Sequence, residues 1–152
     1  MKKHKNTIKW ENLFLPILKE EHKNHAKKIF HRMMKKSSTL KTGLKRRSRE
    51  YEVEFNLTLE EVRYLLLDNY TSPCCYCQGK LTIHNMVCDH KVSISHGGPS
   101  IKSNLQIICA RCNTRKGPLS HQDYSLIVKW LSKQNDDIRQ YVNRKLAMAD
   151  IS

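Results

Sequence analysis

Two Cys-x-x-Cys pairs set the tightest limit on what this chain can fold into. Cys74 and Cys77 form one pair, Cys109 and Cys112 the other, with 31 residues between them. Two residues between thiolates let a single tight turn aim both sulfurs at one point. Two such turns complete a tetrahedral four-sulfur zinc site. The interval is longer than that of a common zinc ribbon, so a structured insert must stand between the knuckles. One pair alone could equally be a redox dithiol. Two pairs favour structural zinc, which staples a small unit that has few core residues. The doubled cysteine at 74–75 raises a question of register. Pairing Cys75 with Cys77 would give a cramped C-x-C, so Cys74 is the preferred ligand. Cys88 reads as a small buried apolar residue on a strand.

Zinc in place of disulfides presupposes a reducing compartment. No stretch approaches the roughly 20 apolar residues of a membrane span, and Lys2, Lys3 and Lys5 are not followed by the apolar run of a signal peptide. These features predict an intracellular, cytoplasmic protein without a membrane partner.

Charge is unevenly spread. Residues 1–50 carry 16 Lys/Arg against 4 Asp/Glu, whereas residues 51–152 carry 12 against 10. The front third is therefore a polycation. Such a block binds nucleic acid, or an anionic surface, by neutralising phosphates and releasing their counterions; otherwise it is a solvated arm.

The periodicity predicts a helix from about Trp10 to Lys36, with Leu13, Ile17, Leu18, Ile29, Met33 and Met34 on its apolar face. "KKSSTLKTG" (Lys35–Gly43) reads as a linker. The basic "LKRRSREY" follows, in which Lys45, Arg46, Arg47 and Arg49 are candidate DNA contacts. "EVEFNLT" (Glu52–Thr58) alternates as a short strand does. Thr58 and Glu61 form a capping-box pair that opens a helix through Val62, Leu65 and Leu66, ended by Pro73. "LTIHNMVCD" (Leu81–Asp89) suits a strand pair with a turn at Asn85. "NLQIICARCNTRKG" (Asn104–Gly117) suits a strand that passes into a helix stopped by Gly117. Ser120 starts a further helix buried through Leu126, Ile127, Trp130 and Leu131, and a last helix covers Asp136 to Ala147. The organisation expected is a basic helical extension (1–43), a basic lead-in with a strand and helix (44–72), a zinc-stapled core (73–118) and C-terminal helices (119–152).

Between the knuckles stand Asp89-His90, a loop ending in Gly97-Gly98, and Asn104. After the second knuckle come Asn113 and Lys116. Phosphodiester hydrolysis needs an activated water, a Lewis acid on the phosphoryl and leaving oxygens, and positioning. A neutral imidazole accepts a proton, and a carboxylate is a hard oxygen ligand. Neighbouring residues of a strand point to opposite faces, so Asp89 and His90 can serve different partners. Each residue also has a plainer role: His90 and Asn113 as caps, Asp89 as a turn acid, Asn104 as a loop brace. His96 is either a phosphate contact or an exposed loop residue, while His84 and His121 read as surface. Lys102, Arg111, Arg115 and Lys116 are candidate contacts along a phosphate path.

The order and texture of "CCYC", "CDHKVSISHGG" and "SNLQIICARCNTRKG" resemble the HNH endonuclease family over Cys74–Gly117. "SREYEVEFNLTLEEV" is similar to the lead-in of phage-type relatives. The resemblance implies an α+β fold: a small ββα-metal, treble-clef-like unit stapled by zinc and flanked by N- and C-terminal helices. It implies His90 as general base, Asp89 and Asn113 as ligands of a catalytic Mg²⁺ or Mn²⁺, and Asn104 as brace of the loop carrying His90. The last motif letter is Asn113 in place of histidine, an H-N-N form that suits a hard cation. It also implies double-stranded DNA as substrate, products with a 5′-phosphate and a 3′-hydroxyl, nicking by one copy or double-strand cleavage by a homodimer, and a homing or phage setting. The competing readings are a zinc-bound nucleic-acid binding module without catalysis, and a C-x-x-C oxidoreductase.

Overall fold

A stripe of Met33, Ser37, Leu44 and Ser48, spaced at helical intervals and buried, draws a long helix onto the rest of the chain. This helix, α1, spans Glu20–Glu50. The computed structural model describes residues 19–148; Trp10, Leu13, Ile17 and Leu18 of the predicted helix lie outside the described residues. Helix α1 runs straight through the predicted linker. Ser37 and Ser38 donate to the Met34 carbonyl at 2.7 and 3.2 Å, and Thr42 donates to the Ser38 carbonyl at 3.1 Å. The hydroxyls that read as loop formers are thus absorbed inside the helix, and burial of Leu44 beyond Gly43 holds the helix together. Packing overrides local propensity here.

After a turn the chain forms a two-residue strand, β1 (Phe55–Asn56), shorter than the alternating segment predicts. Helix α2 (Leu59–Asn69) starts on the capping box: the Thr58 hydroxyl accepts from Glu61 N at 3.1 Å, and the Glu61 carboxylate accepts from Thr58 N at 2.8 Å. Val62 and Leu66 are its buried residues, and it ends ahead of Pro73. The predicted strand pair within Leu81–Asp89 is instead a turn followed by one strand, β2 (Met86–His90). The Asn85 side chain builds that turn, accepting from Thr82 N at 2.8 Å. Strand β2 pairs antiparallel with β4 (Leu105–Cys109), in a register that sets Asp89 opposite Gln106 and His90 opposite Leu105. A short strand, β3 (Ser100–Ile101), lies parallel to β1.

The chain leaves β4 directly into α3 (Ala110–Lys116), the third element of a ββα unit, and stops at Gly117 with φ +49°. Ser120 caps α4 (His121–Leu131) by accepting from Asp123 N at 3.0 Å, and α5 spans Asp136–Met148. The apolar stripe predicted for α4 needs correction. Tyr124 and Leu131 are buried, but Leu126 and Trp130 are 65% and 50% exposed. The helix is turned so that Tyr124 meets Tyr76, with ring centroids 4.7 Å apart. The core joins Met33 and Leu44 of α1, Val62 and Leu66 of α2, and Met86, Ile107 and Ile108 of the hairpin into one cluster. No helix among the described residues is long and apolar enough to cross a membrane.

Candidate active site

The four paired cysteines converge. The sulfurs of Cys74, Cys77, Cys109 and Cys112 all lie within 4.8 Å of one another, and Cys77 and Cys109 are 3.7 Å apart. Four sulfurs about 2.3 Å from one ion would be about 3.8 Å apart along each edge, so the cluster fits tetrahedral zinc. Its local frame is preformed. Cys74 N donates to the Gly79 carbonyl at 2.8 Å, Gln78 takes the left-handed conformation with φ +60°, and Cys109 caps α3 by accepting from Cys112 N. Electrostatics ask for a cation. The Cys112 and Cys75 thiols hold Cys74 low, whereas Cys112 is raised, first by the Cys74 sulfur and then by burial. Sulfurs this close cannot all ionise unless a metal joins them. Cys75 is exposed and outside the cluster, and Cys74 is buried within it. Cys88 is buried on β2, and burial pushes its thiol up to about 12.

At the end of β2 the side chains of Asp89 and His90 leave on opposite faces. Asp89 is buried on the α3 side. Its Oδ1 pairs with Lys116 Nζ at 3.2 Å, and its Oδ2 accepts from Gln106 Nε2 at 2.8 Å. Gln106 also donates to the Tyr76 hydroxyl at 2.9 Å, which sits 2.8 Å from His121 Nδ1. One polar chain therefore runs from Lys116 to the first turn of α4. It corrects two readings. Lys116 is fully buried and donates a second bond to the His90 carbonyl at 3.0 Å, so it cannot line a phosphate path. His121 is half-buried within the network and is not a free surface residue.

His90 faces α1 and is 4% exposed. Its Nε2 lies 2.9 Å from Ser100 Oγ, which accepts a 2.7 Å hydrogen bond from Ser48 Oγ of α1. Burial lowers the imidazole pKa to about 4, with smaller contributions from the Arg47 and Lys116 charges. His90 is therefore neutral at ordinary pH.

The loop between His90 and Ser100 is held by Asn104. Its Oδ1 accepts from Val92 N at 2.9 Å, and its Nδ2 donates to the Val92 and Pro99 carbonyls at 3.1 and 2.9 Å. Gly98 packs so closely that a Cβ would stand 1.9 Å from the Val92 oxygen, and Gly97 has φ +80°. These glycines let the loop fold onto itself.

Asn113 is half-buried on α3, three residues before Lys116 and so on the same face. It lines a groove along β2 whose other wall is α1. Arg47 lines the same groove, while Lys45, Arg46 and Arg49 are exposed elsewhere on α1. Lys102 and His96 are exposed, and Arg115 is half-buried. The guanidinium of Arg111 rests against the Cys77 sulfur.

This ββα unit, with its cysteine frame and its Asp-His strand end, can be compared with known families. Residues 74–119 match the family model described as HNH endonuclease. A comparison with curated proteins finds no match. The HNH segment thus covers the ββα unit and stops at the residue before Ser120. Reading the HNH letters alone passes over Ser48, Ser100, Gln106 and Tyr76. Gln106 could have been found by pairing β2 with β4, because it lies opposite Asp89. Ser48 and Ser100 carry no motif, and only the tertiary fold brings them to His90.

Proposed function

We propose that the protein is a metal-dependent HNH endonuclease that hydrolyses DNA phosphodiester bonds. The observation that carries this reading is the strand end at Asp89-His90: a neutral imidazole pinned on one face and a carboxylate on the other. A binding module has no need of that arrangement.

The zinc site, held by Cys74, Cys77, Cys109 and Cys112, fixes the start of α3 against the first knuckle and so aims Asn113 and Lys116. The donor set for a second ion is one carboxylate and one amide oxygen, hard ligands suited to Mg²⁺ or Mn²⁺. A divalent cation held by Asp89 and Asn113 would polarise the phosphoryl group and offset charge on the leaving oxygen. His90 acts on the water. In the tautomer this role requires, with hydrogen on the Nε2 that meets Ser100, the lone pair at Nδ1 takes a proton as the water oxygen bonds to phosphorus and the bond to the 3′ oxygen breaks. The products are a 5′-phosphate and, after protonation of the leaving oxygen by solvent, a 3′-hydroxyl. Burial makes free His90 a weak base, and an entering phosphate, being anionic, strengthens it. Lys116 and Gln106 fix the Asp89 carboxylate, and Asn104 fixes the loop beyond His90. One such centre per chain corresponds to nicking; two copies are needed to cut both strands. A homing or phage-borne role is compatible with this chemistry.

The buried Asp89–Lys116 pair favours a second reading, a zinc-bound binding module, since an internal ammonium already neutralises the carboxylate. Nicking of supercoiled plasmid in Mg²⁺ or Mn²⁺ decides between them. The endonuclease reading expects nicking by the zinc-loaded protein and none by His90→Ala, with DNA binding retained. Binding without cutting by the wild type would support the module.

A further inference from the structure

Some of the cations of helix α1 line a groove against the ββα unit, and others do not. Arg32, Lys35, Lys36 and Arg47 line the groove of about 580 Å³ that runs along β2, and Asn113 of α3 lines it too. Among the described residues no acidic side chain lines it. Its floor is apolar, formed in part by Leu40, Ile83 and Met86. Positions 32, 36, 40 and 47 fall on one stripe of a helix. From Arg32 to Arg47 the helix rises about 22 Å, at about 1.5 Å per residue. That length matches about six nucleotides of one DNA strand, at about 3.4 Å each. A sugar–phosphate backbone has the matching chemistry, with apolar sugar faces over the floor and anionic oxygens toward the rim. Lys36 is committed to the fold, because its Nζ donates to the Ile83 carbonyl at 3.1 Å. Of the other α1 cations, Lys45, Arg46 and Arg49 of the densest basic run do not line the groove, and Arg46 pairs with Glu50 at 2.5 Å.

We infer that this groove is the track for one strand of the nucleic acid, with Arg32 and Lys35 contacting phosphates at one end, Arg47 contacting a phosphate further along, and the strand led to Asn113. The inference rests on the endonuclease reading for its destination, but the track itself requires only binding. Helix α1 is then one wall of the substrate cleft, and the densest basic run in the sequence lies mostly off it.

The test removes equal charge from the two sets. Arg32→Gln/Lys35→Gln/Arg47→Gln is compared with Lys45→Gln/Arg46→Gln/Arg49→Gln in the full-length, zinc-loaded protein. Affinity for a labelled DNA duplex is followed by anisotropy against KCl without added divalent cation. Each phosphate contact contributes about 0.9 to the slope of log affinity against log salt. The groove variant should lose about two to three in slope, and the outer variant less than about one. Equal losses, or a larger loss for the outer variant, would overturn the track. If the triple groove variant loses its zinc, the single changes Arg32→Gln and Lys35→Gln, both at exposed positions, decide: each should lower the slope by about one, and two unchanged slopes overturn the inference. A slope difference without nicking in either Mg²⁺ or Mn²⁺ would remove the hydrolysis reading and leave the track standing; nicking without a slope difference would do the reverse.

Discussion

Ser48 in the long helix donates a 2.7 Å hydrogen bond to Ser100, 52 residues further along the chain, and both hydroxyls are buried. Ser100 in turn meets His90 Nε2, so α1 reaches the imidazole through two side chains. Ser48→Ala should lower stability by about 1–2 kcal/mol, the effect of leaving a buried partner short of one bond. Ser100→Ala should cost more and should also release His90. Urea unfolding gives the stabilities, and ¹⁵N shifts of the imidazole give the tautomer. Wild-type protein should show hydrogen on Nε2 and Ser100→Ala a mixture. Identical imidazole spectra in the two proteins would remove the positioning role of Ser100.

His90 also predicts how stability depends on pH. Its folded pKa, about 4, lies below the ordinary value of 6.5. The unfolded chain therefore takes up a proton at higher pH than the folded one. The stability linked to neutral His90 is complete above pH 6.5 and is lost as the pH falls toward 4, by about 3 kcal/mol in all. Other groups titrate in the same range, so the measurement is a difference. Unfolding free energies of wild type and His90→Gln, taken from pH 7 to pH 4, should converge toward acid by that amount. Parallel curves would show that the imidazole is not held neutral.

The buried pair on the other face makes a different prediction. Lys116 and Asp89 compensate each other within the α3 side of the hairpin. Lys116→Met leaves a carboxylate buried without its cation and should destabilise the fold by about 3–5 kcal/mol. Adding Asp89→Asn removes the stranded charge, so the double variant should regain much of that loss. A double-mutant cycle in urea reads the coupling, and strict additivity would mean that the pair is not the interaction the geometry describes.

The local features were the legible ones. The capping box at Thr58 and Glu61, the Asn85 turn, the Gly117 stop and the Ser120 cap are each set by residues within a few positions of one another. The cysteine cluster was legible because two short spacings suffice to define it. Long-range burial was not. The serines and threonines of residues 37–42 resemble a linker until Leu44 and Ser48 are known to be buried. Lys116 resembles a phosphate contact until its buried partner is seen. Whether Leu126 and Trp130 or Tyr124 faces inward depends on Tyr76, 48 residues before Tyr124, and no periodicity within α4 contains that information.

The doubled cysteine supplies the last prediction. Cys74, buried, lies within the sulfur cluster, and Cys75, exposed, does not. A structural zinc site contributes its binding energy directly to folding, because the preformed site does not exist in the unfolded chain. Cys109→Ser should therefore release the metal and melt the ββα unit, since this one sulfur both closes the cluster and caps α3. Cys75→Ser should keep one zinc per chain and the wild-type melting temperature. Metal content by emission spectroscopy and melting by circular dichroism test both. Zinc retained at full occupancy in Cys109→Ser, or lost in Cys75→Ser, would show that the four sulfurs brought together by the fold are not the ligand set.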